Sequence, residues 1–85
     1  MNTKQRKTLE AVFTEPLRVD IRYQDLEALF TALGAAVYPS RRGSRVAVAL
    51  NQVKFSYHRP HPENEIGWKT VKDVRDFLTA AGIRR

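Results

Sequence analysis

Apolar residues recur along this chain with two different periods, and the change between them predicts its architecture. Leu9, Val12 and Phe13 are spaced i, i+3, i+4, which predicts a first helix over 3–14 with one buried face. Pro16 ends it, because the residue before a proline is pushed out of the helical region. A connector over 17–22 follows, with Arg18-Val19-Asp20-Ile21 expected to be extended. Leu26, Leu29, Phe30 and Leu33 then mark a second helix from Tyr23 to Leu33. Gly34 stands where a left-handed C′ residue belongs, and Asp25 and Glu27 suit the positive end of the helix dipole.

Beyond Gly34 the period becomes two. Ala35–Arg41 reads as an edge strand, since Pro39 cannot donate to a ladder, and Arg42-Gly43 supplies a turn. Ser44–Leu50 and Val53–His58 read as two further strands joined by Asn51-Gln52. A last helix runs from Trp68 or Lys69 to Ala81 on the stripe Val71, Val74, Phe77, Leu78 and Ala81, with Gly82-Ile83 fitting a Schellman ending. The expectation is one α+β domain over 1–85, in the order α-α-β-β-β-α.

A two-residue turn at Asn51-Gln52 fixes the pairing. Leu50 meets Val53, Val48 meets Phe55 and Val46 meets Tyr57 on a face turned to the helices. The other face receives Ala49 with Lys54, Ala47 with Ser56, and Arg45 with His58, joined by Tyr38 and Ser40. Directly opposed side chains on such a pair stand roughly 5 Å apart.

Charge sharpens this picture. Fifteen Lys and Arg against nine Asp and Glu leave +6 over 85 residues. No acid occurs between Glu27 and Glu63, whereas Arg41, Arg42, Arg45, Lys54 and Arg59 all fall inside that window with His58 and His61. The positive potential therefore belongs to the strands, which points to a nucleic-acid partner. Tyr38 is the base-stacking candidate on this face; Trp68 is expected in the core or as a helix-entry staple. In Arg59-Pro60-His61-Pro62 the prolines hold a histidine on a stiff, extended segment. The chain has no cysteine, so it offers no disulfide or thiolate ligand, and two histidines with scattered acids match no familiar metal spacing. No cofactor is expected. The basic N-terminus lacks the apolar run of a signal peptide or membrane span, so the expected location is cytoplasmic. A winged-helix DNA reader is disfavoured by the three strands between the helices.

Several features together resemble the HicA toxins of bacterial type II toxin–antitoxin systems. These are the helix with Leu26, Leu29 and Phe30; Gly43-Ser44 opening the middle strand; the Pro60-His61-Pro62 loop; Glu65-Ile66; and the final helix from Thr70-Val71 to Ala80-Ala81-Gly82-Ile83. The resemblance covers about 22–83, leaving 1–21 as an N-terminal extension. It implies a double-stranded-RNA-binding-domain-like fold, an mRNA-cleaving ribonuclease activity and a HicB-like antitoxin as partner. The family's loop histidine carries over to His61. Its histidine after Gly-Ser does not, because Arg45 and Val46 stand there. With that position changed, His58, which faces Arg45 across the strands, and His61 become the candidate proton-transfer pair. A non-catalytic RNA- or protein-binding module of the same fold is the alternative.

Overall fold

The computed structural model describes residues 1–16, 21–39, 45–59 and 66–84. In these segments the elements are α1 (Thr3–Val12), α2 (Tyr23–Ala32), β1 (Ala36–Pro39), β2 (Arg45–Leu50), β3 (Val53–His58) and α3 (Trp68–Ala80). The fold is α+β with the order anticipated from the periodicity. The extended reading of Arg18–Asp20, the Arg42-Gly43 turn and the Pro60-His61-Pro62 loop lie outside the described residues, as do Ser40, Arg41 and Ser44.

One antiparallel sheet has the order β1-β2-β3, so β1 is an edge as Pro39 requires. The β2–β3 register joins Val46 to Tyr57, Val48 to Phe55 and Leu50 to Val53. Both turn residues have positive φ, 51° at Asn51 and 69° at Gln52, the combination that a type I′ hairpin turn demands. The Asn51 side-chain amide also donates to the Ala81 carbonyl at 2.7 Å, tying this turn to the end of α3. The hairpin is thereby fixed at its tip by a helix terminus as well as by its ladder.

Helix ends follow from backbone chemistry. At α1, Asn2 and Gln5 form a reciprocal capping box, with the Gln5 N–H donating to Asn2 Oδ1 at 2.8 Å and the Asn2 N–H to Gln5 Oε1 at 2.9 Å. Both α2 and α3 close in Schellman motifs, with Ala35 N–H donating to Phe30 O and Ile83 N–H to Leu78 O. The two C′ glycines have φ of 89° at Gly34 and 85° at Gly82, where any Cβ would be strained.

Several boundaries and side chains differ from expectation; α2 and α3 each end one residue early, at Ala32 and Ala80. The first helix stops at Val12, not Thr14, its end tightening into i→i−3 bonds from Phe13 to Glu10 and from Thr14 to Ala11, and Arg75 on α3 takes up carbonyls left open there. Its Nε–H donates to Val12 O at 2.9 Å and its Nη2–H to Thr14 O at 2.8 Å, while Nη1 pairs with the Glu15 carboxylate. The first strand begins at Ala36, since Ala35 is used by the Schellman motif of α2. Trp68 is neither core nor staple: it is 59% exposed, and the residues flanking the α3 cap that are buried are Ile66 and Val71. Glu27 lies beyond the first turn of α2 and serves the sheet instead, as shown below; Asp25, in the first turn, pairs with Lys4 at 3.2 Å.

All three helices and the inner sheet face share one apolar cluster, including Val12, Leu26, Phe30, Val48, Val71 and Leu78. Aromatic rings bridge its layers: Phe77 meets Phe30 edge-on at 5.9 Å and stacks on Phe55 at 5.3 Å. Leu9 and Val12 of α1 are buried in the same cluster. Among the described residues no helix is long and apolar enough to cross a membrane.

Candidate nucleic-acid interface

With the inner face committed to the core, alternation along each strand presents a second set of side chains outward. Three cross-strand rows make up that surface. Tyr38, Ala47 and Ser56 form the middle row; Ala36, Ala49 and Lys54 lie towards the hairpin tip; Arg45 and His58 lie towards the other end. Tyr38 is 62% exposed, and Arg45, Lys54, Ser56 and His58 are exposed as well. No acid stands on any of the three strands. Among the described residues no helix packs on this face.

Arg45 is oriented by its neighbours. Its Nη2–H donates to Ser56 Oγ at 2.9 Å, so the guanidinium lies diagonally over the middle row. The remaining guanidinium N–H groups, in their fixed fork, suit an anionic oxygen. His58 is Arg45's direct partner in the register, and its backbone carbonyl accepts from the Tyr23 hydroxyl at 3.2 Å. That bond ties the end of β3 to the start of α2.

Position 45 and position 46 differ in a way that bears on the absent family histidine. Val46 is 4% exposed and points into the core, while Arg45 points outward. Only the first residue after Gly43-Ser44 reaches the open face, and there it is an arginine.

Arg59, grouped with the other cations by sequence, is engaged elsewhere. Its Nη1 lies 3.4 Å from Glu27 Oε2, and its guanidinium carbon sits 5.9 Å from the Tyr23 ring centroid, in cation–π range. The Tyr57 hydroxyl donates to the same Glu27 carboxylate at 3.0 Å. Burial and the Glu27 charge together hold the Tyr57 phenol well above its ordinary pKa, so it remains a hydrogen-bond donor. The one sequence signal for this cluster is Tyr57 itself, an inward tyrosine whose hydroxyl needs a partner.

The structure thus gathers Tyr38, Arg45, Lys54 and His58 on one face and turns Arg59 towards α2. Arg41, Arg42 and His61 lie outside the described residues. Among the described residues no three His, Asp or Glu side chains converge as a metal-ligand set.

Comparison with known proteins bears on this arrangement. A family model described as the HicA toxin of bacterial toxin–antitoxin matches residues 23–83. No curated protein and no solved structure matches the chain. The match runs from the first residue of α2 to the Schellman residue that closes α3, and so takes in the whole sheet with its two flanking helices while leaving out α1. On that coverage the chain belongs to the HicA toxin family.

Proposed function

We propose that this chain acts in the cytoplasm as an RNA-binding toxin that cleaves mRNA and is neutralised by a HicB-like antitoxin covering the open sheet face. The observation that carries the reading is the opposed Arg45–His58 pair on a sheet face whose strands hold Lys54 but no acid. Metal-independent RNA cleavage needs a base for the 2′-hydroxyl, an acid for the departing 5′-oxygen and cations at the phosphate. The 2′-oxygen attacks phosphorus as its proton passes to the base. The P–O5′ bond breaks as the acid gives the 5′-oxygen a proton, leaving a 2′,3′-cyclic phosphate and a 5′-hydroxyl. Histidine is the side chain suited to both roles at neutral pH, and His58 and His61 are the two that this chain has. Arg45 stays protonated and so serves as a phosphate contact, not a base.

The presence of arginine at the outward position after Gly43-Ser44 favours a second reading, a binding module without cleavage. Incubating the purified chain with RNA separates them. The first reading expects cleavage that His58→Ala and His61→Ala each abolish with RNA affinity largely retained. Wild-type protein that binds RNA with a steep salt dependence and never cuts it would establish the second. Full cutting by the double histidine variant would end the catalytic assignment.

A further inference from the structure

The middle of the open face is concave. Tyr38, Ala47, Ala49, Lys54 and Ser56 line a shallow, open hollow of about 520 Å³. It exists because β2, the central strand, turns two methyl groups outward at Ala47 and Ala49, positions where strands ordinarily carry β-branched or aromatic residues. Tyr38 rises at the β1 side, directly opposite Ala47. Across the floor, Ser56 holds the Arg45 guanidinium through its 2.9 Å hydrogen bond. Arg45 and the Lys54 row are four residues apart along β2, about 13 Å at the rise of a strand.

Resting on the RNA reading above, we infer that this hollow seats one unstacked nucleobase against Tyr38, with Arg45 and Lys54 on the flanking phosphates, so that the RNA is single-stranded where it meets the sheet. A duplex keeps its bases stacked on one another and offers a protein mainly phosphates and 2′-hydroxyls. An exposed aromatic ring above an alanine floor would have nothing to grip there. A splayed base offers a flat π-face, which aromatic side chains bind with little sequence preference. The absence of acids on the strands makes the charge around the hollow complementary to a polyanion.

The test uses the full chain and one short mixed-sequence RNA, offered as a single strand and annealed to its complement, with affinity read by fluorescence anisotropy over a salt series. The single strand should bind about tenfold tighter or better. Tyr38→Ala should weaken single-strand binding about 5- to 150-fold, the span of base–aromatic stacking on alanine substitution, with an unchanged salt slope. Tyr38→Phe should retain wild-type affinity, and Ala47→Leu, which fills the floor, should reproduce the loss. Melting curves check that each variant folds; should Ala47→Leu not fold, the Tyr38→Ala and Tyr38→Phe pair decides. Unchanged affinity in Tyr38→Ala, with salt-dependent binding still present, overturns the base seat and leaves the RNA reading standing. Equal affinity for duplex and single strand also overturns it. No binding of either form removes both readings. Loss of antitoxin rescue in Tyr38→Ala cells with RNA affinity intact would assign the hollow to a protein side chain instead.

Discussion

The two sides of the sheet each hold a tyrosine and an arginine and put them to opposite use. On the inner face Tyr57 is 4% exposed, packed against Tyr23 and Phe55, and its hydroxyl is given to Glu27. On the outer face Tyr38 is 62% exposed, and its neighbours are two alanines and a serine. The arginines divide in the same way. Arg59 rests between Glu27 and the Tyr23 ring, whereas Arg45 is steadied by the neutral Ser56 hydroxyl and keeps its charge uncompensated by that contact. What separates the pairs is the reach of a carboxylate. Glu27 is the last acid before the strands begin, and it faces inward, so charge neutralisation stops at the sheet.

The sharpest way to break this comparison is to attack one face and read both. Phe30 is fully buried against Tyr57 and Phe77. Phe30→Ala should cost about 3–5 kcal/mol through lost contacts and an unfilled cavity, a large share of the stability of roughly 5–15 kcal/mol typical of a domain. Denaturant titration measures this. RNA affinity per folded molecule should be unaltered, because nothing on the outer face touches Phe30. A parallel loss of affinity under folding conditions would show that the faces are coupled.

A middle-sized effect isolates the inner hydroxyl. The Tyr57 phenol is held above its ordinary value of 10.0, so the folded state keeps a proton that the unfolded chain releases. Its stabilising contribution is complete below pH 10 and is lost progressively as pH rises above it, at a slope approaching ~1.4 kcal/mol per pH unit. Tyr57→Phe should lower stability near neutral pH by about 1 kcal/mol and flatten the alkaline fall. Stability measured from pH 8 to 11 checks both. An alkaline limb identical in the two proteins would mean that Tyr57 does not hold its proton through Glu27 and burial.

Sequence reasoning reaches one side of this comparison more easily than the other. The Arg45–His58 pairing is legible because side chains alternate strictly along a strand and a two-residue turn leaves one register. Arg59 follows the last strand residue, where alternation no longer applies, and its partner Glu27 becomes visible only once α2 is docked. Trp68 misleads for a related reason. It lies one helical turn before Val71 and so continues the apolar stripe in spacing, yet Ile66, outside the helix, is the buried residue at that end. The place of α1 is likewise set by distance contacts: Leu9 and Val12 announce a buried face, but the Arg75 side chain that receives its last turn stands on α3, far along the chain. The capping box was readable in Asn2 and Gln5; periodicity simply does not register polar pairs.

The smallest expected effect is the most direct comparison of two cations. Lys54 is exposed on the acid-free face, directly opposite the small side chain of Ala49 in the register. Arg59 has Glu27 at 3.4 Å with its side chain about half exposed, at 47%. An exposed pair of this kind is worth little for stability, roughly 0–1 kcal/mol, but the adjacent opposite charge offsets the attraction that either can exert on a third. Lys54→Ala should leave the melting transition within about 0.5 kcal/mol of wild type and reduce the slope of log affinity against log salt by about 0.7, one phosphate's worth on a single strand. Arg59→Ala should change that slope by clearly less, because its guanidinium is already paired with Glu27 on the inner side and is turned away from the open face. The titration that decides is the double comparison at several salt concentrations. An equal or larger slope change for Arg59→Ala would place the RNA track along the edge of α2, not across the open face, and would exchange the roles assigned here to the two sides of β3.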